Sequence, residues 1–133
     1  MRLSCGQIAF LEREALAAFP AECCGLIEGV PGELTVTALH PAQNQAEDTS
    51  CRFAIDPALQ FSLLRKLKGS RRAIIGCYHS HPNGRAEPSP RDAAGASEEG
   101  FLWIVIAVKD GSAKLGAHIW KSGAFHPISI EAA

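Results

Sequence analysis

The feature that most constrains the fold is an apolar run in the middle of the chain, RAIIGCY at residues 72–78. The run shows little alternation between apolar and polar side chains. A strand with one face in water alternates, whereas a strand covered on both faces does not. The run therefore predicts a central strand that has other elements packed against both of its faces.

Two amphipathic helices are predicted around this strand. In the first, over residues 7–19, apolar side chains recur at steps of three and four, and the pattern ends at Pro20. The second begins at Asp56 and Pro57, a typical helix start, and continues to about Lys68. We expect its buried stripe to consist of Leu59, Leu63, Leu64 and Leu67.

The remaining periodic segments predict strands. Residues 24–30 and 34–39 are expected to form a hairpin around a Pro-Gly turn, and residues 51–55 a short strand before the second helix. Three more strands are predicted at residues 101–108, 115–121 and 124–130. The 133 residues are typical of one domain, about 100 to 150, and contain no linker or repeat. The sequence therefore predicts a single α/β (α+β) domain over residues 1–133, with a mixed central β-sheet flanked by helices.

Charge and composition exclude several classes of function. Thirteen Lys and Arg stand against fourteen Asp and Glu, so the formal charge of -1 gives no global field that would attract nucleic acid or an anionic membrane. The longest apolar stretch, residues 102–108, is far shorter than the roughly 20 residues of a membrane-spanning helix. The five cysteines form an odd set without a CxxC pair, and no leader pattern is visible. We therefore expect reduced thiols and a cytoplasmic location.

One run of like charge lies at the end of the second predicted helix, between Arg65 and Arg72. The helix dipole favours cations at this end, so a solvated helix terminus explains the run. A surface for an acidic partner is the alternative. Aromatic residues are not interleaved with these charges, as single-strand binding would require, so nucleic acid is not an expected partner.

Polar residues at the end of the central strand form the candidate site. His79 and His81 are two positions apart, so on a strand their side chains share a face, with α-carbons roughly 6.5 to 7 Å apart. Asp92 follows after a Gly- and Pro-containing loop that is long enough to bring its carboxylate back to the pair. Two histidines and a carboxylate leave the fourth position of a tetrahedral zinc ion open to water, as in catalytic zinc sites. For the histidine pair alone, two turn residues without a metal are the plainer alternative.

The histidine pair belongs to a longer string with several fixed identities. HSHP at residues 79–82 is followed by six residues and then by Ser89 and Asp92. Upstream, PAECCGLIEG at residues 20–29 contains Glu22. These segments resemble the two motifs of the JAMM/MPN+ metalloprotease family, also called Mov34/MPN/PAD-1, namely P-x-E-x-C-G-L-[LI]-x-G and H-[ST]-H-P-x(6)-S-x-x-D. Asn44 and residues 52–57 are similar to the intervening region of compact bacterial members, so the resemblance covers nearly the whole chain.

The resemblance implies a role for each site residue. It implies a cytidine-deaminase-like JAMM/MPN fold in which His79, His81 and Asp92 hold Zn²⁺ and Glu22 acts as the general base. Ser89 is implied as a hydrogen-bond donor to the oxyanion. Ser89 and Asp92 also match a capping box at the start of a short helix, and the two uses are compatible. Cys24, the other reactive residue type in this region, is predicted to be a buried strand residue and not a nucleophile.

The implied reaction is hydrolysis of a peptide or isopeptide bond at the C-terminal tail of a small ubiquitin-like or sulfur-carrier protein. Strand addition of the extended tail along a sheet edge is the expected mode of recognition. Two alternatives remain open: a JAMM-type peptidase with another substrate, of the phage-tail or RadC-like kind, and a non-catalytic MPN interaction module. The sequence does not define the oligomeric state.

Overall fold

The computed structural model describes residues 1–133. Eight strands and three helices follow one another along the chain. In order they are β1 (Arg2–Leu3), α1 (Cys5–Ala18), β2 (Cys24–Gly29), β3 (Val36–Ala42), α2 (Pro57–Leu67), β4 (Ala73–His81), α3 (Pro90–Gly95), β5 (Leu102–Lys109), β6 (Ser112–Lys121), β7 (Ala124–Ile128) and β8 (Glu131–Ala132). None of the helices is both long and apolar enough to cross a membrane.

Six of the strands form one sheet in the order β3-β2-β4-β5-β6-β7. The central pair β4 and β5 is parallel, and every other neighbouring pair is antiparallel. The short strands β1 and β8 pair with each other in parallel and form a second, two-stranded sheet. The mixed central sheet predicted from the sequence is therefore confirmed.

Apolar side chains cover β4 on both faces. On one face, Leu11 and Ala15 of α1 belong to a buried cluster with Tyr78 of β4 and residues of β5. On the other face, Leu63 of α2 packs in a second cluster with Cys77 of β4. The run at residues 72–78, which shows little alternation, predicted this arrangement correctly.

The alternation of side chains along β4 places the candidate site. Cys77 faces the α2 side, so His79 and His81, two and four positions further along, continue on that side. The strand ends at His81, where its carboxyl end lies beside the parallel strand β5. The histidine pair therefore lies at the carboxyl end of the central strand, on the α2 face.

Residues 51–55, predicted as a strand, form none. The side chain of Asn44 takes the backbone bonds that a partner strand would have made. Its Nδ2 donates to the carbonyl of Arg52 at 2.8 Å, and its Oδ1 accepts from the amide of Ala54 at 3.1 Å. A single backbone bond joins the same region, from the amide of Gln45 to the carbonyl of Ala54 at 2.9 Å. A side chain distant in sequence thus replaces the ladder that the pattern predicted.

The predicted stripe of α2 is also wrong at one position. Leu63 and Leu67 are buried, as expected for residues four apart on one helix face, but Leu64 is 50% exposed. One residue step rotates a side chain by about 100° around a helix axis, which turns Leu64 away from the sheet. Leu64 therefore does not belong to the narrow face that α2 buries against the sheet.

Candidate metal centre

Three buried side chains converge at the end of β4: His79 and His81 from the strand and Asp92 from α3. The two Nε2 atoms are 2.9 Å apart, and the Oδ2 atom of Asp92 lies 3.1 Å from one and 3.2 Å from the other. Ligand atoms about 2.0 to 2.1 Å from a tetrahedral zinc ion lie about 3.3 Å from one another. The spacing of these three atoms is therefore close to that of a shared metal ion, and the residues fit a metal site.

The capping box of α3 positions the carboxylate of Asp92. Ser89 is the N-cap, and its Oγ accepts from the amide of Asp92 at 3.1 Å. In return the amide of Ser89 donates to Asp92 Oδ2 at 2.8 Å, the same oxygen that faces the histidines. Pro90 occupies the first turn, where its missing amide hydrogen costs no intrahelical bond. The predicted capping box is confirmed, and it fixes the direction of the carboxylate.

The two histidines are held in different ways. His81 Nδ1 lies 2.9 Å from the carbonyl of Arg85, and this contact assigns the donor hydrogen to Nδ1 and turns Nε2 toward Asp92. His79 has no such support, because its Nδ1 is buried without a hydrogen-bond partner. Its ring stacks instead on Phe53, with centroids 4.3 Å apart and planes 20° apart. The ring of Trp103 meets it edge-on at 5.9 Å.

The electrostatics of the cluster favour an anionic acceptor between two imidazoles. Burial alone would raise the pKa of Asp92, but hydrogen bonds with His79 and His81 hold it well below its ordinary value. Burial lowers the pKa of His79. Burial also opposes protonation of His81, but the contacts with Asp92 outweigh it and raise the pKa of His81. A metal cation can displace the proton that His81 and Asp92 hold between them, because histidine and carboxylate ligands bind metals in their deprotonated forms.

Glu22 reaches this cluster from the segment between α1 and β2. The Cys23 amide donates to Ser80 Oγ at 2.8 Å, and the Ser80 amide donates to the Cys23 carbonyl at 3.1 Å. Ser80, which lies between the two histidines, therefore holds Cys23, the residue next to Glu22, in place through two hydrogen bonds. Glu22 is only 6% exposed, and burial raises the pKa of its carboxyl to about 7. Such a group can hold or release a proton near neutral pH.

A cavity of about 660 Å³ opens beside these groups. Glu22, His81, Ser89 and Asp92 all contribute to its wall, whereas His79 is fully buried behind it. The rest of the wall mixes aromatic and charged side chains, among them Phe53, Phe101, Trp103, Arg91 and Glu98. The structure thus brings all five residues selected from the sequence to one place.

The roles of two residues at the site, Asn44 and Phe53, were not predicted from the sequence. Both lie in the region that resembles compact bacterial relatives. No local pattern indicates that Asn44 hydrogen-bonds to the backbone on both sides of Phe53 or that Phe53 stacks on His79. Cys24 behaves as predicted: it is buried, and burial raises the pKa of its thiol to about 12, which keeps it protonated. All five cysteines are free thiols.

Comparison with known proteins gives concordant matches. Residues 8–122 match the family described as prokaryotic homologs of the JAB domain. The chain is 33% identical over 111 residues to the desampylase of Haloferax volcanii, covering 84% of this chain and 78% of that protein. It is 34% identical over 84 residues to the probable TtuB-protein conjugate cleaving protease of Thermus thermophilus, covering 63% of this chain and 52% of that protein.

The fold recurs in solved structures. A JAB1/MPN domain protein from Archaeoglobus fulgidus superimposes with a TM-score of 0.63 at 19% sequence identity. The match covers 100% of this chain and 96% of that one. The JAMM/MPN fold implied by the sequence motifs is therefore confirmed.

Proposed function

The chain belongs to the prokaryotic homologs of the JAB domain and is a JAMM-type hydrolase, and from this premise we propose that it is a zinc-dependent isopeptidase. Its substrate would be the C-terminal tail of a small ubiquitin-like or sulfur-carrier protein, and residues 1–133 would form one metallopeptidase domain. The observation that carries the proposal is the convergence of His79, His81 and Asp92 at a cavity that also contains Glu22.

In the proposed reaction His79, His81 and Asp92 hold the metal. Zinc, when bound there, supplies Lewis-acid chemistry that activates water and polarises a carbonyl. Glu22 takes a proton from the attacking water and delivers it to the leaving amine, which breaks the peptide or isopeptide bond. One carboxyl must accept and then release a proton at the same pH, and burial, which raises the pKa of Glu22, favours its protonated form between the two steps.

Ser89 is proposed to stabilise the oxyanion that forms on the substrate carbonyl. Its Oγ accepts a hydrogen bond from the amide of Asp92, which leaves its own hydroxyl hydrogen free to donate. Ser89 also lines the cavity. One such donor can contribute about 3 kcal/mol of transition-state stabilisation. Helix capping and oxyanion binding therefore use different parts of the same hydroxyl.

The relatives support the choice of substrate. The Haloferax protein is a desampylase, and the Thermus protein is named as a probable protease that cleaves TtuB-protein conjugates. This favours a carrier tail over a phage-tail or RadC-like substrate. The alternative of a non-catalytic module is disfavoured, because such modules usually lack a ligand and here all three ligand atoms converge. A cytoplasmic location, with reduced thiols, belongs to the same proposal.

The test combines metal analysis with a cleavage assay. We expect the purified protein to bind about one equivalent of zinc and to shorten ubiquitin-like carriers that bear C-terminal extensions or isopeptide-linked lysine peptides, as measured by intact-protein mass spectrometry. EDTA should stop the reaction and zinc should restore it. Glu22→Gln should keep the metal and lose cleavage, whereas Glu98→Gln, which alters another carboxylate of the cavity wall, should retain it.

Two results would contradict the proposal. Full cleavage by Glu22→Gln would remove the assigned base. A wild-type protein that binds less than roughly half an equivalent of zinc and leaves every carrier intact would support the interaction-module alternative instead.

A further inference from the structure

We propose that Phe53 is a positioning residue for the metal ligand His79 and that Asn44 holds Phe53 in place. The inference rests on the proposed function, because it assigns a task to residues beside the proposed metal site. Phe53 lies in the loop between β3 and α2, outside both sequence motifs.

The first observation is the packing around His79. Phe53 stacks on one face of the imidazole, with a centroid distance of 4.3 Å and an interplanar angle of 20°. Trp103 meets the imidazole edge-on, at 5.9 Å and 88°. Phe53 and Trp103 also contact each other edge-on, at 6.2 Å. Two aromatic rings in mutual contact therefore enclose the imidazole, and aromatic pairs at such separations attract each other beyond the effect of burial alone.

The second observation is the missing hydrogen bond. Metal-binding histidines almost always donate their other ring N–H to an acceptor, which fixes the ring about its Cβ–Cγ bond. His81 follows this pattern through the carbonyl of Arg85 at 2.9 Å, but His79 Nδ1 is buried with no partner. Rotation of the His79 ring would carry its Nε2 away from Asp92. The stacked ring of Phe53 blocks that rotation and replaces the absent acceptor.

The third observation explains why Phe53 itself is fixed. The backbone on both sides of it is bonded to Asn44: the Arg52 carbonyl accepts from Nδ2 at 2.8 Å, and the Ala54 amide donates to Oδ1 at 3.1 Å. The same Nδ2 group donates to the carbonyl of Glu22 at 3.0 Å. One amide side chain thus sets the loop that covers His79 and the segment that carries the proposed base.

The experiment measures zinc affinity by competition with a chromophoric chelator, on purified protein and without substrate. Phe53→Leu keeps an apolar side chain but removes the stacking ring, and we expect it to weaken zinc binding by about tenfold or more. Phe53→Tyr keeps the ring and should bind zinc within about threefold of wild type. Phe101→Leu is the matched control, because it removes another half-buried phenyl ring of the same cavity that does not stack on His79.

Two further readouts separate positioning from general structure. The visible spectrum of the cobalt-substituted protein should change in Phe53→Leu and in Asn44→Asp but not in Phe101→Leu, because only the first two disturb the ligand ring. Urea unfolding of the metal-free variants identifies any loss of fold. In cleavage assays at saturating zinc, Phe53→Leu should lower kcat more than it raises KM.

Each outcome decides the question. Wild-type zinc affinity and an unchanged cobalt spectrum in Phe53→Leu would overturn the inference while leaving the proposed function intact. A defect confined to KM would also overturn it, because Phe53 would then act on the substrate. A wild-type protein that binds no zinc would refute the proposed function and, with it, the role of Phe53.

Discussion

Replacing Glu22 by Gln should stabilise the metal-free protein at alkaline pH. Burial raises the pKa of the folded carboxyl from 4.5 to about 7, so between these values the folded state holds a proton that the unfolded chain has released. Stability then falls as the pH rises through this window, because the unfolded state binds fewer protons than the folded state. Glutamine has nearly the same shape and no charge, so the stability of the variant should not fall as the pH rises through this window.

The size of the effect follows from the same two values. The interval from 4.5 to about 7, at 1.36 kcal/mol for each pKa unit, corresponds to about 3 kcal/mol of unfolding free energy. The carboxyl lines a cavity open to water, so solvent screens part of this penalty. We therefore expect a gain of about 1 to 2 kcal/mol for Glu22→Gln at pH 8 and almost no gain at pH 4, where the carboxyl is protonated in both states.

Urea unfolding of EDTA-treated protein, followed by tryptophan fluorescence at several pH values between 4 and 8.5, measures this difference. Curves of unfolding free energy against pH that run parallel for wild type and Glu22→Gln would refute the reasoning. Added zinc is the internal control. A cation close to the carboxyl favours its ionised form, so the advantage of the variant should shrink or disappear when the metal is bound.

Two further substitutions test the packing around the sheet. Gly25→Ala should cost about 1 to 3 kcal/mol in urea unfolding, because a new Cβ would lie 2.3 Å from the Tyr78 ring and 2.5 Å from the His40 carbonyl; Gly95→Ala, which meets no atom within 4 Å, should be neutral and is the control. Glu28→Gln should cost about 1 to 3 kcal/mol at pH 7. Burial alone would raise the pKa of Glu28, but the hydrogen bonds with His40 and Thr37 and the charge of Arg72 lower it. The stability that the ionised Glu28 contributes is therefore present above the ordinary glutamate pKa and is lost as the pH falls through the lower pKa of the folded state. A Glu28→Gln deficit that stays constant down to the acid transition would contradict the assignment.

Local rules were sufficient for several parts of the molecule. The uninterrupted apolar run at residues 72–78 predicted a strand covered on both faces, and Asp56 was correctly expected to cap α2. The spacing of Ser89 and Asp92 predicted a capping box, which the structure contains. Each of these features depends on a stretch of at most seven consecutive residues, so the local sequence was enough to indicate it.

Features that depend on distant contacts could not be predicted in this way. The segment 51–55 has strand-like composition, but its backbone bonds go to the side chain of Asn44, about ten residues earlier. The strands β1 and β8 have two residues each, too few to show a period, and they join the two ends of the chain. The stack of Phe53 on His79 likewise joins residues that only the folded sheet brings together.

The two faces of β4 explain why the motif has its spacing. A strand repeats every two residues, so a residue between two ligands must point to the opposite face of the sheet. At that position, Ser80 Oγ accepts a hydrogen bond from the Cys23 amide at 2.8 Å, while the flanking histidines face the proposed metal. The strand that aligns the ligands therefore also anchors the segment that carries Glu22. A larger residue at position 80 would disturb the proposed base and the ligands together, which is a physical reason for a small hydroxyl side chain between the histidines.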